Sequence, residues 1–114
     1  MSNTIFHKII NKEIPAEIVF EDEQVIAFND ISPAAPTHIL VVPKKTLVNM
    51  SAMTEEDKLV IGHLFLVASK IAKQLGLEES GYRLVMNNGE GVGQTVFQMH
   101  LHILAGREFS WPPG

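Results

Sequence analysis

Cysteine is missing from this 114-residue chain, which rules out disulfides, zinc–thiolate sites and a thiol nucleophile. Histidine is left to carry any nucleophilic or metal chemistry. No apolar run approaches the ~18–20 residues needed to span a bilayer. The opening Met1-Ser2-Asn3-Thr4 lacks the basic-then-apolar pattern of a secretory signal, so a cytoplasmic location is expected. A basic stripe is also lacking: 9 Lys and Arg stand against 13 Asp and Glu, a net charge of −4. DNA, RNA and anionic membranes are therefore poor partners. A small phosphorylated ligand remains open, because a pocket supplies local donors whatever the net charge. No repeat, linker or low-complexity tract divides the chain, and its 46% hydrophobic content suffices for one compact domain with a real core.

Along the chain, Thr4 is placed to cap a short helix over Ile5 to Asn11, with Phe6, Ile9 and Ile10 on one side and Pro15 barring continuation. His7 is expected on that helix's surface. Glu17 to Phe20 and Gln24 to Asn29 are β-favouring runs on either side of Glu21-Asp22-Glu23, the pattern of a hairpin. Asp30 to Pro36 reads as a loop, since Pro33 and Pro36 push their preceding residues out of helix. His38 to Pro43 reads as a buried strand. Thr54 with Asp57 three residues on resembles a capping box. Behind it Leu64, Val67, Ala68, Ile71 and Leu75 recur at helical spacing until Gly76. His63, alone on that helix, reads as a surface or edge residue. Tyr82 to Asn87 and Gln94 to Leu104, joined across Asn88-Gly89-Glu90-Gly91-Val92-Gly93, predict a second hairpin. The fold class is α+β: an antiparallel five-stranded sheet with one long and one short helix.

Chemistry concentrates in Gln98-Met99-His100-Leu101-His102-Ile103-Leu104. Alternation in an extended strand puts Gln98, His100 and His102 on one face and Met99, Leu101 and Ile103 in the core. Two imidazoles cost about 1–3 kcal/mol each when buried without partners, so their shared face should border a pocket or lie in solvent. Gly89, Gly91 and Gly93, followed by Gln94 and Thr95, offer main-chain and side-chain donors for an anion just upstream. An ordinary glycine-rich hairpin turn explains the same residues. His38 opens a strand which, if it lies beside the last one, brings its ring within reach of His100 or Gln98. A metal site of His38, His100 and His102 competes with a nucleophilic histidine. No carboxylate adjoins these histidines in the sequence as a usual second partner, and Gln98 is a poor ligand, which favours the nucleophile.

The block Phe97-Gln98-Met99-His100-Leu101-His102, with Gly93-Gln94-Thr95 before it and Gly106-Arg107 through Trp111-Pro112-Pro113-Gly114 after it, resembles the signature of the histidine triad (HIT) superfamily. Within it the chain is similar to the Hint branch of nucleotide-binding proteins. Thr4-Ile5-Phe6, Lys12-Glu13-Ile14-Pro15-Ala16, Asp30-Ile31-Ser32-Pro33, Ala35-Pro36-Thr37-His38 and Pro43-Lys44-Lys45 extend the likeness nearly end to end. The resemblance implies a single HIT domain over residues 1–114, sheets joined across a homodimer, and residues 106–114 as a tail reaching the partner subunit, where Trp111 helps shape the leaving-group pocket. It implies a purine nucleoside monophosphate or its phosphoramidate as ligand, no cofactor, no metal, and hydrolysis of the P–N bond. His100 would attack the α-phosphorus and form a nucleotidyl-histidine, with His102, His38 and Gln98 as its catalytic companions. Asn87, Gly93, Gln94 and Thr95 would hold the phosphate, Asp30 the ribose hydroxyls, and Phe6, Ile9, Phe28, Ile31 and Leu40 the base.

Two positions depart from the pattern. Gln98 stands where the family has the first triad histidine, and Ser110 stands where relatives carry a histidine before the tryptophan. Glutamine hydrogen-bonds but carries no proton at accessible pH. If that position only orients its neighbour, activity survives; if it relays a proton, a loss of about 10²–10⁴-fold is expected. Orientation is the favoured reading. The alternative is a nucleotide-binding dimer of low turnover acting as an interaction or regulatory protein.

Overall fold

In the computed structural model, which describes residues 3–114, five strands form one antiparallel sheet in the order β1-β2-β3-β5-β4. They are β1 (Ile18–Glu21), β2 (Val25–Asn29), β3 (Thr37–Pro43), β4 (Arg83–Val85) and β5 (Leu101–Ala105), with α1 (Ile5–Ile10) before them and α2 (Lys58–Gln74) between β3 and β4. The expected fold class is thus observed. No described helix is long and apolar enough to cross a membrane.

Alternation along the central strands gives the sheet two different faces. On one, Val25, Ala27, Ile39, Val41, Leu101 and Ile103 pack beneath Leu64, Val67, Ala68 and Ile71 of α2, all of them buried. Met99, Leu101 and Ile103 enter this core as their alternation requires. On the other face Ile26, Phe28, Leu40 and Val42 meet Phe6 and Ile9 of α1. α1 is too short to stand alone and is held by that apolar contact and by its cap.

Both caps use side chains the sequence displays. At α1, Thr4 accepts from the His7 backbone N–H while His7 Nδ1 accepts from Thr4 N–H at 3.2 Å. His7 is consequently buried, a correction to its expected place on the surface. The periodicity suggested an outward position, but the ring folds back as the returning arm of a capping box. Thr54 and Asp57 form the other capping box, around a single 3₁₀ turn from which α2 starts. Leu77 N–H to Ala72 C=O and Gly76 N–H to Lys73 C=O close α2 in a Schellman motif, with Gly76 at φ +69°. Leu75, expected on the apolar face, is half exposed at the cap position. His63 lies partly exposed on α2, as expected, and pairs with Asp22 Oδ2 at 2.6 Å.

The strands are shorter than their apolar runs. Gln94 to Gln98 is irregular, and β5 begins only at Leu101. Gln94 and Gln98 of this segment bond through their side chains to Val48 O and to Pro43 O at the end of β3. β4 likewise spans three residues rather than Tyr82 to Asn87.

Gly106, just past β5, combines φ +96° with a position where an added Cβ would stand 2.7 Å from Pro36 Cβ. Gly91 has neither constraint. Gly106→Ala is expected to cost about 1–3 kcal/mol in urea or thermal unfolding, whereas Gly91→Ala should change stability by less than about 1 kcal/mol.

Candidate functional site

Sheet register brings the site together. Phe28 pairs with Leu40 and Leu40 with His102, so one row of side chains crosses β2, β3 and β5 on the face that carries α1. His38 pairs with Leu104, making it the diagonal neighbour of His102 on that face. His38 Nε2 and His102 Nδ1 lie 2.8 Å apart. His38 therefore reaches His102, and not His100 or Gln98 as its position in the sequence had suggested. His100 precedes β5, its ring centroid 4.9 Å from that of His102 and edge-on to Phe6 at 4.9 Å.

A cavity of about 450 Å³ opens over this row, a size suited to a small organic ligand. Phe6, Ile9, Phe28, Ile31 and Leu40 wall its apolar part, and Asp30, Thr95, His100 and His102 supply polar groups. All the residues assigned to a nucleoside thus line one pocket, although Phe6, Ile9, Phe28 and Leu40 serve the core as well. Ile14, Pro15, Ala16, Asn29 and Val96 also line it and were not singled out. The available signal was the position of Lys12 to Ala16 directly behind α1. A larger open groove, about 1080 Å³, runs between Ser80–Arg83 and Gly106–Ser110, where the Arg107 guanidinium lies 4.1 Å from the Phe109 ring centroid. It contains no histidine and borders the free edge of β4.

The phosphate assignments divide. Thr95 lines the cavity. Asn87 and Gly93 stand against each other nearby, an added Gly93 Cβ falling 3.8 Å from Asn87 Nδ2, but outside the cavity wall. Gln94 turns away: it is buried, its amide donates to Val48 O and Val96 O, and its Oε1 accepts from Gly89 N–H. Its backbone N–H is taken by Gly89 O. With these groups engaged it braces the glycine turn instead of offering a donor to an anion. Gln98 also departs from its expected place. It is wholly buried, away from the pocket, donating to Pro43 O at 2.9 Å and Lys45 O at 2.8 Å and accepting from Leu47 N–H at 3.1 Å. Strand alternation does not extend to position 98, because the chain there is not yet a strand.

Hydrogen bonds determine the tautomers. A carbonyl only accepts, so His100 Nδ1, 2.7 Å from Gln98 O, carries the ring proton and Nε2 keeps its lone pair. Ala34 N–H donates to His38 Nδ1 at 3.0 Å, which puts the neutral ring's proton on Nε2, directed at His102 Nδ1. His102 in turn bears its hydrogen on Nε2, an atom buried without a partner among the described residues. An orphaned N–H of this kind costs about 1–3 kcal/mol until an acceptor arrives. Asp30 receives Ser32 N–H on Oδ1 and places Oδ2 3.5 Å from His38 Nε2.

Burial is the main cause that lowers the pKa of His100; Gln98 O and Asp30 oppose it, while His38 adds to it. Burial together with the neighbouring charges of His100 and His38 pushes His102 down to about 4. The site thus holds an unprotonated nitrogen and a neutral donor side by side near neutral pH. Ligand atoms of Asp30, His38 and His102 lie within 4.8 Å of one another, so these three could hold a cation if the proton between the two rings were displaced. This is a different set from the three histidines suggested by the sequence.

The sign of the pH effect follows. Between an unfolded histidine pKa near 6.5 and about 4 for folded His102, the unfolded chain takes up a proton that the folded chain refuses. Stability should be full above about pH 6.5 and decline as pH falls toward about 4. In an NMR titration the His102 ring should change charge near 4, and His100 below the ordinary histidine range. A His102 midpoint at or above about 6.5 would contradict the account.

Comparison with known proteins agrees with this fold. The HIT domain family model matches residues 11–109. An uncharacterized HIT-like protein of Synechocystis sp. is 57% identical over 112 residues, covering 98% of this chain and 97% of its own. The crystal structure of a HIT family hydrolase from Legionella pneumophila Philadelphia 1 superposes with a TM-score of 0.96 at 46% identity, covering 98% of this chain and 100% of that one. A histidine triad nucleotide-binding protein from Candida albicans gives 0.83 at 30% identity, covering 96% and 83%. With the HIT domain model matching residues 11–109 and relatives aligned over nearly its whole length, this chain belongs to the HIT domain family.

Proposed function

We propose that the protein hydrolyses purine nucleoside phosphoramidates through a nucleotidyl-histidine intermediate without a metal. The observation that carries this reading is the tautomer of His100: Nδ1–H is held by a carbonyl at 2.7 Å and the ring lines the cavity. A neutral imidazole with a free Nε2 is a competent nitrogen nucleophile. Its Nε2 attacks the α-phosphorus as the P–N bond to the amine breaks; the amine leaves with the electron pair and takes a proton. Water then cleaves the new P–Nε2 bond, releasing the nucleoside monophosphate and restoring the ring. His102 Nε2–H, unpartnered among the described residues, donates to a phosphoryl oxygen as negative charge grows there. His38 keeps that donor in place through His102 Nδ1. The apolar slot between Phe28, Leu40, Phe6 and Ile9 takes a flat base, and Asp30 accepts from the ribose hydroxyls. The names of the Legionella hydrolase and the Candida nucleotide-binding protein support the hydrolase and nucleotide parts of this reading.

Incubating the protein with adenosine phosphoramidate should give AMP, and rapid quenching should trap a nucleotidyl adduct by intact mass. His100→Ala should form no adduct and lose at least about 10³-fold in turnover. A chelator should leave the rate unchanged. Tight AMP binding with neither turnover nor adduct would favour the low-turnover binding protein instead.

A homodimer belongs to the same proposal. Leu59 is 80% exposed and Leu66 52% on α2, while Leu84 and Tyr82 stand partly exposed at the free edge of β4. An unpaired sheet edge and exposed apolar side chains favour association. In this dimer Trp111, 82% exposed in the tail, would reach the partner. Sedimentation should give twice the 12.6 kDa protomer mass, and Leu84→Glu should shift it toward the single chain.

A further inference from the structure

Gln98 grips two things at once. Its side chain holds the turn leaving β3, donating to Pro43 O and Lys45 O and accepting from Leu47 N–H. Its main-chain carbonyl accepts from His100 Nδ1. The next residue strengthens the grip, since Met99 N–H donates to Leu47 O at 2.6 Å. The turn is itself anchored, through Lys45 to Asp57 at the start of α2 and through Thr46 Oγ1 to His7 Nε2 at 3.3 Å. A chain of bonds therefore runs from two helices, through one buried amide, to the carbonyl that sets the nucleophile's tautomer.

The chemistry of that amide is selective. The turn presents two carbonyls and one N–H to the wholly buried Gln98 side chain, and a carboxamide supplies two N–H donors and one oxygen acceptor, a complete match. A neutral imidazole brings one donor and one acceptor, and an imidazolium two donors and no acceptor. Either would leave one of these three backbone groups without its bond to residue 98. A carboxylate offers no donor at all.

We propose that Gln98 is a positioning residue that holds its own carbonyl against His100 Nδ1, so that glutamine is the working side chain at this position and histidine there would impair the site. This rests on the nucleophilic reading of His100 and adds to it: the first triad position in this chain is a structural amide, not a proton carrier. Restoring a histidine is expected to lower turnover instead of raising it.

The test compares the full-length wild type with Gln98→His and Gln98→Met, the second a near-isosteric apolar side chain that suits a buried site if histidine does not fold. Adenosine phosphoramidate turnover gives kcat and KM, and ¹⁵N NMR of the ring reports the His100 tautomer. Wild type should show His100 as the Nδ1–H form. Both variants that fold should lose about 10–100-fold in kcat, with KM changed less than about threefold and a mixed His100 tautomer. A purely architectural role would lower unfolding temperature while leaving tautomer and kcat intact in the folded fraction, and that result would overturn the proposal. So would a Gln98→His protein that equals or exceeds wild type, or a wild-type His100 found as the Nε2–H form. If wild type fails to turn over phosphoramidate, the proposed reaction fails, while the tautomer comparison still decides the role of Gln98.

Discussion

A peptide carbonyl accepts hydrogen bonds and donates none, so the 2.7 Å contact between Gln98 O and His100 Nδ1 decides which ring nitrogen carries the proton. The rest of the cluster is polarised in the same way. Ala34 N–H donates to His38, His38 donates to His102, and the series ends on an Nε2–H with no partner among the described residues. One ring thus presents a lone pair and its neighbour a proton, side by side, with ring centroids 4.9 Å apart. An incoming phosphoryl group needs both, a nucleophile at phosphorus and a donor at oxygen. No charged side chain has to be created to supply them.

The sheet makes this possible because its central strands have two faces with different tasks. Leu101 and Ile103 anchor β5 under α2, and the intervening His102 is carried to the opposite face by the two-residue period. Hydrogen-bonded pairing with β3 then fixes the position of His102 against Leu40 and His38, since a one-residue slip of β5 would turn His102 into the core and away from His38. Core packing and site geometry are therefore one constraint. Weakening the apolar contact beneath β5 loosens the imidazoles above it.

Much of this was legible in the chain. The period-two pattern of Met99, Leu101 and Ile103 implied which residues would be buried, and the caps at Thr4, Thr54 and Gly76 located both helices. The nucleoside residues assigned from family resemblance, Phe6, Ile9, Phe28, Asp30, Ile31 and Leu40, do line one pocket. What escaped was side-chain bonding to distant backbone. Gln94 and Gln98 sit in a β-favouring run, yet each spends its amide on a loop some fifty residues away in sequence, and no periodicity reports such a partner. His7 was misplaced for a related reason, since its ring serves the helix end and not the helix face. The pairing of His38 with His102 depended on register, which strand boundaries alone leave undetermined.

Burial links reactivity to stability. Sinking His100 and His102 beside Phe6 and the strand row lowers their proton affinity, which keeps Nε2 of His100 available at neutral pH. The same desolvation means that the folded state rejects protons the unfolded chain would accept, so the arrangement that keeps the His100 lone pair free also makes acid destabilising. A more exposed pair would tolerate acid better but would surrender its lone pair earlier as pH falls. The buried carboxamide at position 98 escapes this conflict. It has no proton to gain or lose, so the carbonyl it supports can hold His100 equally well across the range in which the imidazoles titrate.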